Sequence, residues 1–452
     1  MNASQSRAEV PPSATPHFDV SPHAPPPSAL TAGASTASAS SRFSIKRIAP
    51  HGSTTRYALI LGMMTTLSAF GIDAYLPAFR EIARSLQVNE GAVQFSLVSY
   101  FVALAMGQAV YGPISDRVGR RGPLIFGFGL FVLASAACAF ATTIEWLVAM
   151  RFVQGIGACA GMVLTRAIVR DLRSGEEAAR LFALMLLVLS VSPILAPMLG
   201  SMLLYFLPWQ SVFWFMAAFG VFCLALILLL LEETNPPARR SGGLTRAFLQ
   251  YGALARDGWF MVAVLIGGAS QGALFAYLVG SPFVYLELHG ITPGAYSALF
   301  ALNAVALIGS AQANVRLIRR FGTNRLILAA SLTQTTAAMI LLIVTLMHWD
   351  SAANIAALLF VTVGCQGLLG PTTAVLALER YAASAGAASA LMGTLQFACG
   401  AIAGGLISFF ANGTALPFGA VIAGCAGMGL MLAVINLKRS ADLPVAPIAH
   451  QV

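Results

Sequence analysis

Two ionisable side chains stand where a chain can least easily hold them. Asp73 lies in AFGIDAYLPAF, residues 69–79, the far part of an apolar run of some two dozen residues. Arg151 lies in MRFVQGIGA, six residues after Glu145, near the start of another such run. A charged side chain at the centre of a bilayer costs roughly 2.5–3.5 kcal/mol on insertion scales, and acids kept there mark proton paths. Asp73 therefore points to protonation chemistry. A plainer reading also stands. Pro77 cannot donate to the carbonyl of residue 73, so Asp73 would then satisfy loose backbone about 9 Å from the membrane surface. A third cluster, GPISDRVGRRG at 112–122, sets Asp116 among Arg117, Arg120 and Arg121 around Gly119. Its chemistry is ion pairing at a membrane edge, or a topology signal built on a tight glycine turn.

The elements that must position these residues follow from composition. The chain has 452 residues, 58% hydrophobic and 10% charged, with a mean hydropathy of +0.79. Soluble domains carry about 25% charged residues, so this is a multi-pass membrane protein. Runs of about 20 apolar residues cross the hydrocarbon as helix. Twelve are read here: 57–79, 93–115, 122–142, 145–168, 178–203, 209–231, 259–284, 294–315, 324–346, 352–376, 386–411 and 415–437. Residues 1–55, rich in Ala, Ser, Pro and Thr, predict a disordered tail. The expected divisions are a six-helix half over 56–231, a linker at 232–258, a second half over 259–437, and a tail at 438–452.

Twelve spans put both termini on one side. On that side fall 23 of the 26 basic residues, with Arg166, Arg170, Arg173 and Arg180 in the region where span 4 ends and span 5 begins. The positive-inside rule makes it cytoplasmic, in the cytoplasmic (inner) membrane. The net charge of +9 then reflects topology and contact with membrane lipid, not nucleic acid. All six cysteines fall within spans and none forms a CxxC pair, so they read as packing residues, not metal ligands. No catalytic constellation and no phosphate-binding loop appears. The chain reads as neither an enzyme nor an ATP-driven pump, with no catalytic residue, metal or cofactor beyond a proton gradient.

The pattern G-x-x-x-D-R-x-G-R-R, carried by Gly112, Asp116, Arg117, Gly119, Arg120 and Arg121 between spans 2 and 3, resembles a signature of the major facilitator superfamily. RFVQGIGA resembles the fourth-span motif of that superfamily. DAYLPAF, SPILAPMLG and SPFVYLELHGITPGAYSALFALN are similar to the Bcr/CflA branch, the bicyclomycin- and chloramphenicol-resistance drug:proton antiporters. In span 5 the antiporter glycine pattern is degenerate. Ala183, Ser192, Ala196, Pro197 and Gly200 remain small or proline, and Pro193 and Pro197 permit a kink.

The resemblance implies an all-α fold of twelve transmembrane helices in two six-helix halves, working by alternating access. It implies that spans 1 and 4 line one central cavity, so Asp73 and Arg151 would pair when Asp73 is ionised. A permanent structural pair is the alternative. A neighbouring cation favours an ionised carboxyl and burial the neutral one; changing both would let Asp73 carry protons. The 2–3 loop residues, with Arg120 reaching Asp171, would form a cytoplasmic gate. Substrate contacts are expected among Tyr75, Tyr100, Gln108, Tyr277, Phe283, Asn303 and Gln396, or these side chains simply pack. The second half carries no charge deep in a span, which favours a neutral, moderately apolar substrate. The expected activity is export of small molecules in exchange for protons, by a chain for which a monomer suffices. A sugar or amino-acid exporter, or a proton symporter of the same fold, is the alternative.

Overall fold

In hydrocarbon a backbone must satisfy its polar groups internally, and the twelve apolar runs do so as helices. A computed structural model describes residues 54–240, 243–381 and 384–441. The first tail lies outside the described residues except for its last two positions, and the second lies outside them from residue 442.

The helices are α1 (Thr54–Asp73), α2 (Phe79–Ser85), α3 (Glu90–Val118), α4 (Arg121–Ala139), α5 (Ile144–Leu172), α6 (Gly175–Phe206), α7 (Gln210–Leu230), α8 (Leu244–Arg256), α9 (Gly258–Pro282), α10 (Pro293–Phe321), α11 (Thr323–Leu346), α12 (Ala352–Leu378), α13 (Ala385–Phe409) and α14 (Leu416–Ala441). Twelve helical stretches are long and apolar enough to cross a membrane, α1 with α2 counting as one. Many of the most exposed large side chains are apolar, among them Phe126, Leu133 and Phe409. That is the surface a bilayer requires.

The helices through α7 pack into one half and α9 to α14 into the other, and the halves meet chiefly where α3 lies on α13 and α6 on α10. Several helices outrun their apolar stretches. α5 continues to Leu172, past the expected end of span 4 at residue 168, and carries Arg170 as well as Arg166 within it. The linker also holds a helix of its own, α8, whose Tyr251 and Leu254 are buried while Phe248 and Leu249 are exposed.

Pro77 acts as expected. The α1 ladder ends with the Ala74 amide on the Phe70 carbonyl at 3.2 Å, and a single tight turn, Leu76–Ala78, leads into α2. α6 lies directly on this break. A Cβ at Gly200 would stand 2.3 Å from the Ala74 carbonyl oxygen, a backbone atom that cannot swing away. Ser192, Ala196 and Pro197 are buried on the same helix and Pro193 is half-buried. Gly200→Leu is therefore expected to cost about 1–3 kcal/mol by overpacking. The check is thermal stability in detergent, with Met198→Leu on the exposed face of α6 as the control. A melting point equal to that of the unsubstituted chain would contradict the close approach.

Candidate functional site

The break in α1 creates the site. Asp73 is the last residue of α1 and is 6% exposed. Its carboxylate has no hydrogen-bond or ion-pair partner among the described residues. It lies within electrostatic reach of Tyr100 on α3 and, across the interface, of Tyr277 on α9 and Tyr296 on α10. Asp73 thus faces the seam between the halves.

Arg151 is fully buried on α5. Its Nη2 donates to the Gly71 carbonyl at 2.8 Å, one of the oxygens that the interrupted α1 ladder leaves free. Its Nη1 donates to Gln154 Oε1, and Gln154 Nε2 donates on to Ser135 Oγ at 2.7 Å. The guanidinium is held between two rings, 4.5 Å from the centroid of Tyr75 and 4.4 Å from that of Tyr100. Arg151 Nε is buried and has no partner. Orphan buried donors are rare and call for an explanation. An unpaired carboxylate and an unpaired guanidinium N–H therefore lie on adjacent helices, without the ion pair that the sequence leads one to expect.

Tyr75 and Tyr100 are likewise placed differently from the expectation. Tyr75 is enclosed among Phe79, Phe213 and Arg151 and shares a 2.7 Å hydrogen bond with Ser96. Tyr100 donates to the Ser68 carbonyl at 3.1 Å. Both rings clasp Arg151, because the turn after α1 and the helical phase of α3 direct them into the first half. Asn303 donates to the Tyr277 hydroxyl at 3.1 Å, within an aromatic cluster that includes Phe300 and Tyr296. Gln396 lies on α13 against Gly267 of α9. The seven residues do not line one pocket.

Two cavities run along the seam instead. One, of about 390 Å³, opens at the arginine-rich end and is lined by Gln108, Asp116 and Arg166. The other, of about 620 Å³, lies at the opposite end and is lined by Gln94, Phe283 and Glu287. Gln94, Phe101 and Gln108 recur every seven residues on α3, so they share one helix face. Phe101 stacks on Phe275 of α9 with ring centroids 4.2 Å apart, forming a septum between the two halves.

At the opposite end Arg80 Nε meets Glu287 Oε1 at 2.8 Å, joining α2 to the turn after α9. Ser201 on α6 bonds Ser297 on α10 at 2.6 Å. The arginine and glutamate side chains are 37% and 26% exposed, so their pair is worth at most about 1 kcal/mol, roughly a fivefold shift in an equilibrium. Glu287→Ala is expected to raise labelling of a probe at Gln94→Cys by up to that factor. Unchanged labelling would remove Glu287 from the closure of this end.

At the arginine-rich end Arg120 is the hub. Its Nε meets Asp171 Oδ2 at 2.8 Å and its Nη1 meets Asp116 Oδ1 at 2.5 Å and Ser115 Oγ at 2.6 Å. Glu233, just after α7, was not legible as a site residue. Its carboxylate accepts from the Arg120 amide at 2.8 Å and the Arg121 amide at 3.1 Å, at the start of α4, where a helix N-terminus attracts an anion. Asn235 donates to the Asp116 carbonyl at 3.2 Å. Gly119, at φ +104°, leaves room for this; a Cβ there would stand 2.5 Å from Glu233. Arg121 also donates to the Leu228 carbonyl at 2.8 Å, while Arg117 makes no hydrogen bond or ion pair with a described residue. Gly112 lines the cavity with space around it.

Comparison with known proteins agrees with this architecture. The chain is 38% identical over 372 residues to the uncharacterized MFS-type transporter YdgK of Bacillus subtilis, covering 81% of this chain and 91% of that one. It is 30% identical over 375 residues to the bicyclomycin resistance protein homolog of Haemophilus influenzae, covering 81% and 92%. Its fold resembles that of a D-xylose-proton symporter at a TM-score of 0.66 and 17% identity, over 85% of this chain and 97% of the other. Residues 61–405 match the family model of the Major Facilitator Superfamily, and with two six-helix halves joined along a seam of cavities the chain belongs to that superfamily of membrane transporters.

Proposed function

We propose that this transporter exports small-molecule drugs of the bicyclomycin or chloramphenicol kind across the cytoplasmic membrane in exchange for protons, with Asp73 as the coupling carboxylate. The arginine-rich end faces the cytoplasm in this reading, with both termini on that side. One observation carries the proposal: a buried, unpartnered carboxylate at the end of α1, the helix whose Gly71 carbonyl is held by a buried guanidinium with a free N–H. The likeness to a bicyclomycin resistance protein homolog supports the substrate class.

The chemistry uses two conditions of one group. A carboxyl facing aromatic side chains and little water favours its neutral form, and one beside a free cationic donor favours its ionised form. Rocking of the halves changes which of these Asp73 meets. A proton taken up from outside would release the drug outward. Loss of that proton inward would restore the pairing of Asp73 with Arg151 Nε and reset the carrier. Arg151 is already fixed by Gly71, Gln154 and two rings, so the reset needs only movement of Asp73.

The test is everted membrane vesicles with an acid lumen. Chloramphenicol- or bicyclomycin-like compounds are expected to release lumenal protons with the native chain and not with Asp73→Asn, whose amide holds the shape without titrating. If Asp73→Asn couples as well as the native chain, Asp73 is structural. If no antibiotic moves protons in the native chain, a panel of sugars and amino acids replaces it, and a metabolite exporter or symporter becomes the reading.

A further inference from the structure

We propose that the cavity at the arginine-rich end is an anion-binding vestibule, built on Arg166, and that the transported molecules include small organic anions. The proposal deepens the efflux reading above and rests on it for the direction of transport, but not for binding.

Charge in this cavity is one-sided. The vestibule is lined by Arg120, Arg166 and Arg170 from the first half, Arg246 from α8, and one acid, Asp116. Arg120 is satisfied by Asp116 and Asp171, and Asp116 is spent on it. The other three arginines make no ion pair or hydrogen bond with any described residue. Among the described residues the cavity therefore holds three cations without a counter-charge.

Arg166 decides between ordinary topology and a site. Arg170 and Arg246 are exposed, as surface arginines on such an end normally are. Arg166 is only partly exposed and sits six residues before the end of α5, about 9 Å inside it. Exposed arginines suffice for positive-inside topology, which leaves the partial burial of Arg166 in the cavity wall unexplained. A cation within a span that faces a cavity marks a substrate or ion path. Arg170 follows Arg166 by four residues on the same helix face, so two like charges repel at short range, and an anion between them would relieve both.

The rest of the lining describes the ligand. Val163, Ala167, Ala387 and Ala390 are apolar, and Gln108 and Gln250 offer amides. A volume of about 390 Å³ is that of a small-molecule pocket. The chemistry fits a compact aromatic or aliphatic body bearing a sulfonate, carboxylate or phosphate. The expectation of a neutral substrate rested on the second half having no deep charge; the arginines of this cavity come from the first half and the linker, and they favour an anion.

The same head-group chemistry belongs to anionic phospholipid, so the experiment separates the two. The full chain is placed in phosphatidylcholine nanodiscs, and naphthalene-2-sulfonate is titrated against its neutral counterpart naphthalene-2-sulfonamide by calorimetry. Charge-assisted hydrogen bonds predict that the sulfonate binds about ten- to a hundredfold more tightly. Arg166→Gln is expected to remove the preference while leaving sulfonamide affinity unchanged, and Arg166→Lys to retain part of it. Equal affinities in the native chain, or a preference that survives both Arg166→Gln and Arg170→Gln, would overturn the proposal. So would loss of sulfonate binding when phosphatidylglycerol replaces part of the lipid, which would make the vestibule a headgroup seat. A native preference without sulfonate uptake in everted vesicles would leave the binding site standing and overturn the claim that organic anions are transported, while the antibiotic assay above decides the efflux reading.

Discussion

Arg151→Ala is expected to abolish proton-coupled transport and to destabilise the first half, while Arg151→Lys keeps the fold and loses most of the transport. The alanine removes a guanidinium that lies between Tyr75 and Tyr100 and strands the Gly71 carbonyl and the Gln154 amide oxygen in the interior. Each stranded acceptor costs about 1–3 kcal/mol, and taking the cation away from each ring costs about 0.5–2 kcal/mol. Relief from burying a charge offsets part of this, so a net loss of about 3 kcal/mol is the expectation. Lysine keeps the charge but cannot lie flat between two rings while donating in two directions. Melting in detergent reads the first effect and proton release from everted vesicles the second. The double variant Asp73→Asn with Arg151→Lys adds the decisive observation. If the two residues act as a unit, the double variant transports no worse than Asp73→Asn alone. Additive losses would mean that Arg151 only braces the helices.

Those two residues were legible because lipid makes charge conspicuous. Asp73 and Arg151 each interrupt an apolar run, and Pro77 announces the break that ends α1. The hold of Arg151 on the Gly71 carbonyl, in place of an ion pair with Asp73, was not legible, since it depends on which oxygen the break leaves free and on which way each helix is turned. Tyr75 and Tyr100 illustrate the same gap. An aromatic residue in a span carries no mark of whether it faces a pore or a neighbouring helix, and here both face Arg151. Arg170 fell beyond the expected end of span 4 because hydropathy reports where a run becomes polar, not where a helix ends, and α5 runs on to Leu172. α8 did carry a signal. Leu244, Phe248 and Tyr251 recur at helical spacing in the linker, a pattern easily passed over beside twelve stronger ones. Glu233 carried none, because a glutamate after a span reads as a solvated charge until the loop it caps is folded against it.

Arg120→Ala is expected to slow transport by about tenfold or more, for a reason that lies in what Arg120 joins. Its side chain ties the end of α3, through Asp116 and Ser115, to the end of α5, through Asp171. Its amide and that of Arg121 are held by Glu233, which fixes the start of α4 to the segment after α7. Four helix ends of one half are thereby held as one body, as rocking of a half against its partner requires. The partners are unequally buried, with Asp116 51% and Asp171 20% exposed and Arg120 10%. The full penalty of breaking a buried pair does not apply, and about 1–2 kcal/mol after solvent screening is the reasonable scale, which is roughly a tenfold shift in a two-state equilibrium. Glu233→Ala should reproduce the effect without touching either ion pair, because it frees the two amides at the head of α4. Accessibility of a cysteine at Ala387, across the vestibule, reads the equilibrium directly. Slow transport with altered accessibility is the expected pattern for both variants. If Arg120→Ala slows transport but Glu233→Ala does not, the ion pairs act by themselves and the rigid-body account of this end is wrong.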